Sequence, residues 1–134
     1  MNRPDIRIMI VEDNIPLQFV LKKILSNRGY NIICVDNGLK ALDYQKESPV
    51  DLIFMDVSMP VMDGLTSTRK IRRLPKPSAV VPIIALTAHH LKEHKAECLA
   101  AGMDDYLVKP TKATELIDKI NCWAKPFDGT DNKH

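Results

Sequence analysis

Five short apolar runs, each followed by a stretch of helical character, constrain this chain more than any other feature. The runs are Ile6–Val11, Asn31–Val35, Leu52–Met55 leading into Asp56, Val81–Leu86 and Tyr106–Val108. They are rich in β-branched residues and nearly continuous rather than alternating, the pattern of parallel strands covered on both faces. Helices are predicted between them, first over about Pro16–Arg28, closed by Gly29, and then over Gly38–Glu47, after an Asp36-Asn37 cap. A third is predicted over Gly64–Leu74, after Asp63 and before the Pro75-Lys-Pro77 stretch. The last two are His90–Ala101, ending on Gly102, and Ala113–Ala124, ending before Pro126. Five βα units joined by right-handed crossovers predict an α/β fold, a doubly wound five-stranded parallel sheet between two layers of helices. Residues 1–124 are expected to form one domain, and 125–134 a polar, disordered tail.

Charge and cysteines narrow the classes of function. The net charge is +2 with no Lys/Arg block, so neither nucleic acid nor an anionic membrane surface is an expected partner. Cys34, Cys98 and Cys122 are odd in number and show no CxxC spacing, which argues against a disulfide framework and against zinc. The N-terminus lacks a signal-peptide pattern, and no apolar run approaches the ~20 residues of a membrane span. A cytoplasmic protein is expected.

In such sheets ligands bind beyond the carboxyl ends of the strands, where the strand order reverses. At that edge the first strand delivers Glu12 and Asp13, the third Asp56, the fourth Thr87, and the fifth Lys109 followed by Pro110. Taken singly, each has a plainer account. Glu12 and Asp13 could cap the first helix, Asp56 could cap a loop, threonine is common in strands, and a strand-end lysine is usually at the surface. Together they suggest a site. Three converging carboxylates repel unless a proton or a cation intervenes, and Mg²⁺ suits a few carboxylates, water and a phosphate oxygen.

These residues resemble the receiver domains of two-component response regulators, the family that includes chemotaxis receivers. The resemblance covers about Ile6 to Trp123. It is carried by Val11-Glu12-Asp13-Asn14, by Met55-Asp56-Val-Ser-Met-Pro60-Val-Met-Asp63-Gly64, by Ala85-Leu-Thr87-Ala88 and by Tyr106-Leu-Val-Lys109-Pro110. It implies a flavodoxin-like three-layer sandwich with strand order 2-1-3-4-5. Asp56 would be the phosphoacceptor, with Mg²⁺ (or Mn²⁺ as a substitute) held by Glu12, Asp13, Asp56 and the Val57 carbonyl. Lys109 would pair with phosphoryl oxygens, and the Lys109–Pro110 peptide would be cis. Thr87 and Tyr106 would turn inward together as the switch, while Ser58 and His89 would tune the lifetime of the aspartyl phosphate. The donor would be a histidine kinase or a histidine phosphotransfer protein. The chain would catalyse its own phosphorylation and dephosphorylation rather than turn over a substrate.

An initial Met close to the first strand favours a standalone, single-domain regulator, monomeric or dimerising on phosphorylation; a receiver excised from a hybrid kinase is the alternative. A haloacid-dehalogenase-type phosphatase would want a carboxylate two residues after Asp56, where this chain has Ser58. A flavin-binding domain would want a phosphate loop where Glu12 and Asp13 stand, and a degenerate docking module would not need Asp56, Thr87 and Lys109. His90, His94 and Cys98 share one face of the fourth helix, a weak transition-metal pattern. On the first helix the predicted core stripe is Leu17, Val20, Leu21, Ile24 and Leu25. Ile15 and Phe19 fall near the other side and are candidates for docking a helical phosphodonor.

Overall fold

The computed structural model describes residues 6–59, 61–88 and 92–124 (for Lys92, the backbone alone). The order is β1 (Arg7–Val11), α1 (Ile15–Ser26), β2 (Asn31–Val35), α2 (Gly38–Glu47), β3 (Leu52–Asp56) and α3 (Gly64–Ile71). It continues through a short 3₁₀ turn (Ser78–Val80) to β4 (Ile83–Thr87), α4 (Lys92–Ala101), β5 (Asp105–Val108) and α5 (Ala113–Trp123). All strand pairs are parallel, and the sheet runs β2-β1-β3-β4-β5.

The period of two along each strand builds two cores. Ile8 and Ile10, Leu52 and Phe54, and Ile84 and Leu86 point to one face, where Leu21 and Leu25 of α1 and Leu116 and Ile120 of α5 cover them. Met9 and Val11, Ile53 and Met55, and Ile83 and Ala85 point to the other, under Ala41, Leu42, Ile71 and Cys98 of α2 to α4. Burial on both sides explains why the strands read as unbroken apolar runs.

Local chemistry sets the helix ends. Asn14 caps α1 by accepting from Leu17 N at 2.9 Å, so the caps considered at Glu12 and Asp13 are not used. Asn37 and Asp63 cap α2 and α3 in the same way. Gly102 closes α4 at φ +110°, and Gly29 follows α1 at φ +93°, where a Cβ would be strained. Helix α3 ends three residues earlier than predicted, at Ile71. Beyond it Arg73 N and Leu74 N bond the Lys70 and Ile71 carbonyls three residues back, so the last turn tightens. The Arg72 guanidinium bonds the carbonyls of Gly102, Ala79 and Val81 and the Asp104 carboxylate. Val20 departs from the predicted core stripe. It is 49% exposed and lies with Ile15 and Phe19 on the outer side of α1.

Among the described residues no helix is long and apolar enough to cross a membrane.

Candidate functional site

Chain order reverses between β1 and β3, because β2 lies on one side of β1 and everything later lies on the other. The carboxyl ends of β1 and β3 therefore open onto one crevice. A cleft of about 350 Å³ sits there, lined by Glu12, Asp13, Asp56, Ser58, Thr87 and Lys109 among others. Carboxylate oxygens of Glu12, Asp13 and Asp56 lie within 4.8 Å of one another.

Lys109 ties the group together. Its ammonium is 2.9 Å from Glu12 Oε1 and 3.3 Å from Asp56 Oδ2. The backbone aims the remaining oxygens: Asn14 N donates to Glu12 Oε2 at 3.2 Å, and Ser58 N donates to Asp56 Oδ1 at 3.2 Å. Glu12 and Asp56 are buried, whereas Asp13 faces solvent. Burial raises the Asp56 carboxyl to about 7, helped by its hydrogen bond with Glu12 and that neighbour's charge and opposed by Lys109. Burial also works to raise Glu12, but its hydrogen bonds with Asp56 and Lys109 outweigh it and hold Glu12 low. On Lys109, burial favours the neutral amine, yet the two acids win and its ammonium is stabilised. The pair thus behaves as two carboxyl groups sharing one proton near neutrality.

The donor set fits a hard divalent cation. It offers three carboxylates from two strand ends, one solvent-facing side for water, and a buried Glu12 Oε1 met by a single ammonium, which leaves it acceptor capacity to spare. Val57 lines the same cleft, and its carbonyl accepts Gly64 N at 3.0 Å.

Thr87 is buried at the end of β4, and its carbonyl accepts Lys109 N at 2.7 Å. Tyr106 is half-buried on β5, with the Lys95 ammonium 5.1 Å from its ring centre, within cation–π range. The Lys109–Pro110 peptide is cis. Ile15 and Phe19 are 57% and 65% exposed on α1. His89 lies outside the described residues, as does His90 of the weak metal pattern. The rest of that pattern does not form a site: Cys98 faces the core and His94 pairs with Glu97 at 3.6 Å.

Several contributors had no role assigned to them from the sequence. Asn14 both caps α1 and steadies Glu12. Gln18 bonds the carbonyls of Glu12 and Val35. Gly64 lets α3 approach so closely that a Cβ there would sit 2.2 Å from the Asp56 carbonyl oxygen. Asn14 and Gly64 were legible only as members of family motifs, and Gln18 carried no signal.

Comparison with known proteins agrees with this picture. The response regulator receiver domain model matches residues 8–121. The sensor histidine kinase GacS of Pseudomonas protegens is 39% identical over 120 residues, covering 88% of this chain and 13% of that protein. The hybrid signal transduction protein dokA of Dictyostelium discoideum is 38% identical, covering 92% of this chain and 7% of its own length. The chain thus spans a small fraction of these relatives. Among solved structures, the receiver domain of sensor histidine kinase PA1611 from Pseudomonas aeruginosa superposes with a TM-score of 0.81 at 41% identity, over 87% of this chain and 95% of that one. It holds a magnesium ion in its active-site cleft. The Ssk1 receiver domain of Saccharomyces cerevisiae, solved with the histidine phosphotransfer protein Ypd1, gives 0.84 at 33% identity, over 96% of each chain.

Proposed function

The chain belongs to the response regulator receiver domain family of two-component signalling, and from that premise we propose that Asp56 accepts a phosphoryl group from a phosphohistidine. The observation that carries this reading is the Lys109 ammonium set between Glu12 and Asp56 at the mouth of the cleft. An Asp56 oxygen attacks phosphorus as the P–N bond to the donor imidazole breaks, and the imidazole keeps the bonding electron pair and takes up a proton. Such transfers pass through a loose transition state, so positioning and charge neutralisation do most of the catalysis. Lys109 is placed to neutralise phosphoryl oxygens from one side, and the Thr87 hydroxyl to bond another. Glu12, Asp13, Asp56 and the Val57 carbonyl would hold Mg²⁺, which supplies the second positive charge. The chain acts on itself and is not a turnover enzyme. Thr87 and Tyr106 then report the modification by a population shift toward a partner-binding state.

Incubation of the purified protein with acetyl phosphate and Mg²⁺, read by intact mass, tests this. One acid-labile phosphoryl group is expected. A wild type that keeps its unmodified mass sinks the proposal.

Metal binding should depend on pH with a definite sign. Mg²⁺ competes with the proton that Asp56 holds up to about 7, so affinity rises with pH and levels off above that value. Between pH 6 and pH 8 the Mg²⁺ dissociation constant should fall about tenfold, measured by titration calorimetry or by the thermal shift. Equal shifts at both pH values would exclude the shared proton.

The donor is proposed to be a helical histidine phosphotransfer protein or kinase domain, as the Ssk1 receiver domain was solved with Ypd1. Ile15 and Phe19 form an exposed apolar pair one helical turn apart, placed to anchor such a surface. An Ile15→Ala, Phe19→Ala double variant should slow transfer from a phosphohistidine protein by about tenfold and leave labelling by acetyl phosphate unchanged. Equal slowing with both donors would place the pair in the fold instead.

A receiver working inside a hybrid kinase is the second reading. It is favoured by relatives in which the matched domain is 7–13% of the length. The mass of the native protein, read by immunoblot of its source cells, separates it from a standalone regulator.

A further inference from the structure

The end of β1 is gripped by a side chain that touches none of the cleft's carboxyl groups. Gln18, half-buried one turn into α1, donates through Nε2 to Glu12 O at 3.0 Å and to Val35 O at 3.2 Å. Both partners are carbonyl oxygens, so chemistry alone assigns the nitrogen end of the amide to this place. One nitrogen with two hydrogens thereby joins the ends of β1 and β2. The Val35 carbonyl also accepts Glu12 N at 3.1 Å, which closes a ring of bonds around the last rung of that strand pair.

The peptide unit held in this way is the one between Glu12 and Asp13. A peptide is planar, so fixing its oxygen fixes the plane from which Asp13 departs. The Glu12 carboxylate has its own guides in Asn14 N and Lys109. The Asp13 carboxylate is exposed, and among the described residues no hydrogen bond or ion pair holds it, so only its backbone directs it toward Asp56. We propose that Gln18 is a positioning residue for the metal-binding carboxylates, acting through the Glu12–Asp13 peptide to aim Asp13 into the cleft. This role rests on the reading of the cleft as a Mg²⁺ site.

The test compares wild type with Gln18→Leu, which keeps the volume and removes the donor, and Gln18→Asn, which keeps an amide one methylene too short. Mg²⁺ affinity is measured by calorimetry, and acetyl phosphate labelling is followed as Mg²⁺ is raised. Both variants should bind Mg²⁺ about tenfold more weakly, the usual scale for groups that orient metal ligands. Their labelling should fall at low Mg²⁺ and recover to the wild-type rate at saturation. Wild-type affinity in both variants would overturn the proposal. So would labelling that stays low at saturating Mg²⁺, since that is the signature of general structural damage. A wild type that binds no Mg²⁺ would overturn the reading of the cleft, and this role with it.

Discussion

Asp56→Asn is expected to take up no phosphoryl group from acetyl phosphate and, in the absence of metal, to melt at a higher temperature than wild type. The first result follows from the chemistry, because a neutral amide is too weak a nucleophile to form the acyl phosphate. The second follows from linkage. Asp56 titrates from an ordinary 3.8 in the unfolded chain to about 7 in the fold, so between those values the folded state binds the extra proton. Its stability is fully present below about 4 and is lost as pH rises toward 7, beyond which the buried charge is carried at full cost. Glu12, held below its ordinary value, adds a slope of the opposite sign at lower pH. An asparagine keeps the shape and removes the like-charge repulsion. At pH 8 the gain should be on the order of 1 kcal/mol, about 3–6 °C for a chain of this size. Thermal melts across pH should show the wild-type decline between pH 4 and 7 and its absence in the variant. A variant that melts lower than wild type at pH 8 would show that Lys109 needs the Asp56 charge more than Glu12 repels it.

Gly64→Ala should be more damaging to the site than a methyl at any other glycine of the described residues. The added Cβ would stand 2.2 Å from the Asp56 carbonyl oxygen, and 3.0 Å from both Met55 Cγ and Val57 Cα. Backbone cannot rotate away as a flexible side chain would, so α3 or the end of β3 must shift. Overpacking of this kind costs about 2–3 kcal/mol, a drop of roughly 10 °C in melting temperature. The strain falls on the residue that carries the acceptor, so labelling by acetyl phosphate should slow as well. Gly38→Ala is the informative control. Its Cβ would meet Met62 O at 2.5 Å and Ser67 Cβ at 2.8 Å, between α2 and α3. It should lower stability similarly with a much smaller effect on labelling, and equal loss of labelling in both would assign the effect to general destabilisation.

The parallel, doubly wound sheet and the cluster at its edge could be read from residues because both rest on short-range rules. The strand order 2-1-3-4-5 followed only from the family resemblance. Period-two burial on two faces makes β3 a run ending in Asp56, and a strand end can point only to the rim. Glu12, Asp56, Thr87 and Lys109 were therefore placed correctly by position alone. Gln18 and Arg72 escaped because their partners, backbone carbonyls and for Arg72 also the Asp104 carboxylate, lie 6 to 32 residues away and leave no trace in composition or spacing. Val20 was misassigned for a related reason. A wheel drawn on α1 cannot tell which of its apolar residues the sheet and α5 reach: Leu21 and Leu25 are buried, and Val20 is left at the edge. The early end of α3 is a change of ladder: past Ile71 the amides of Arg73 and Leu74 bond the carbonyls three residues back, a tightening into turns that hydrophobic spacing does not register.

The Asp105 carboxylate at the start of β5 accepts from Trp123 Nε1 at 3.0 Å, from Lys119 Nζ at 2.7 Å and from Tyr106 N at 2.8 Å. Trp123 is the single tryptophan of the chain, so one chromophore is wired to the residue beside Tyr106. Burial works to raise Asp105, but its bonds to Lys119 and Trp123 hold it below the ordinary aspartate range, far from the neutral window in which Asp56 titrates. Because Trp123 is tied to the start of β5, its emission should register a rearrangement of that strand.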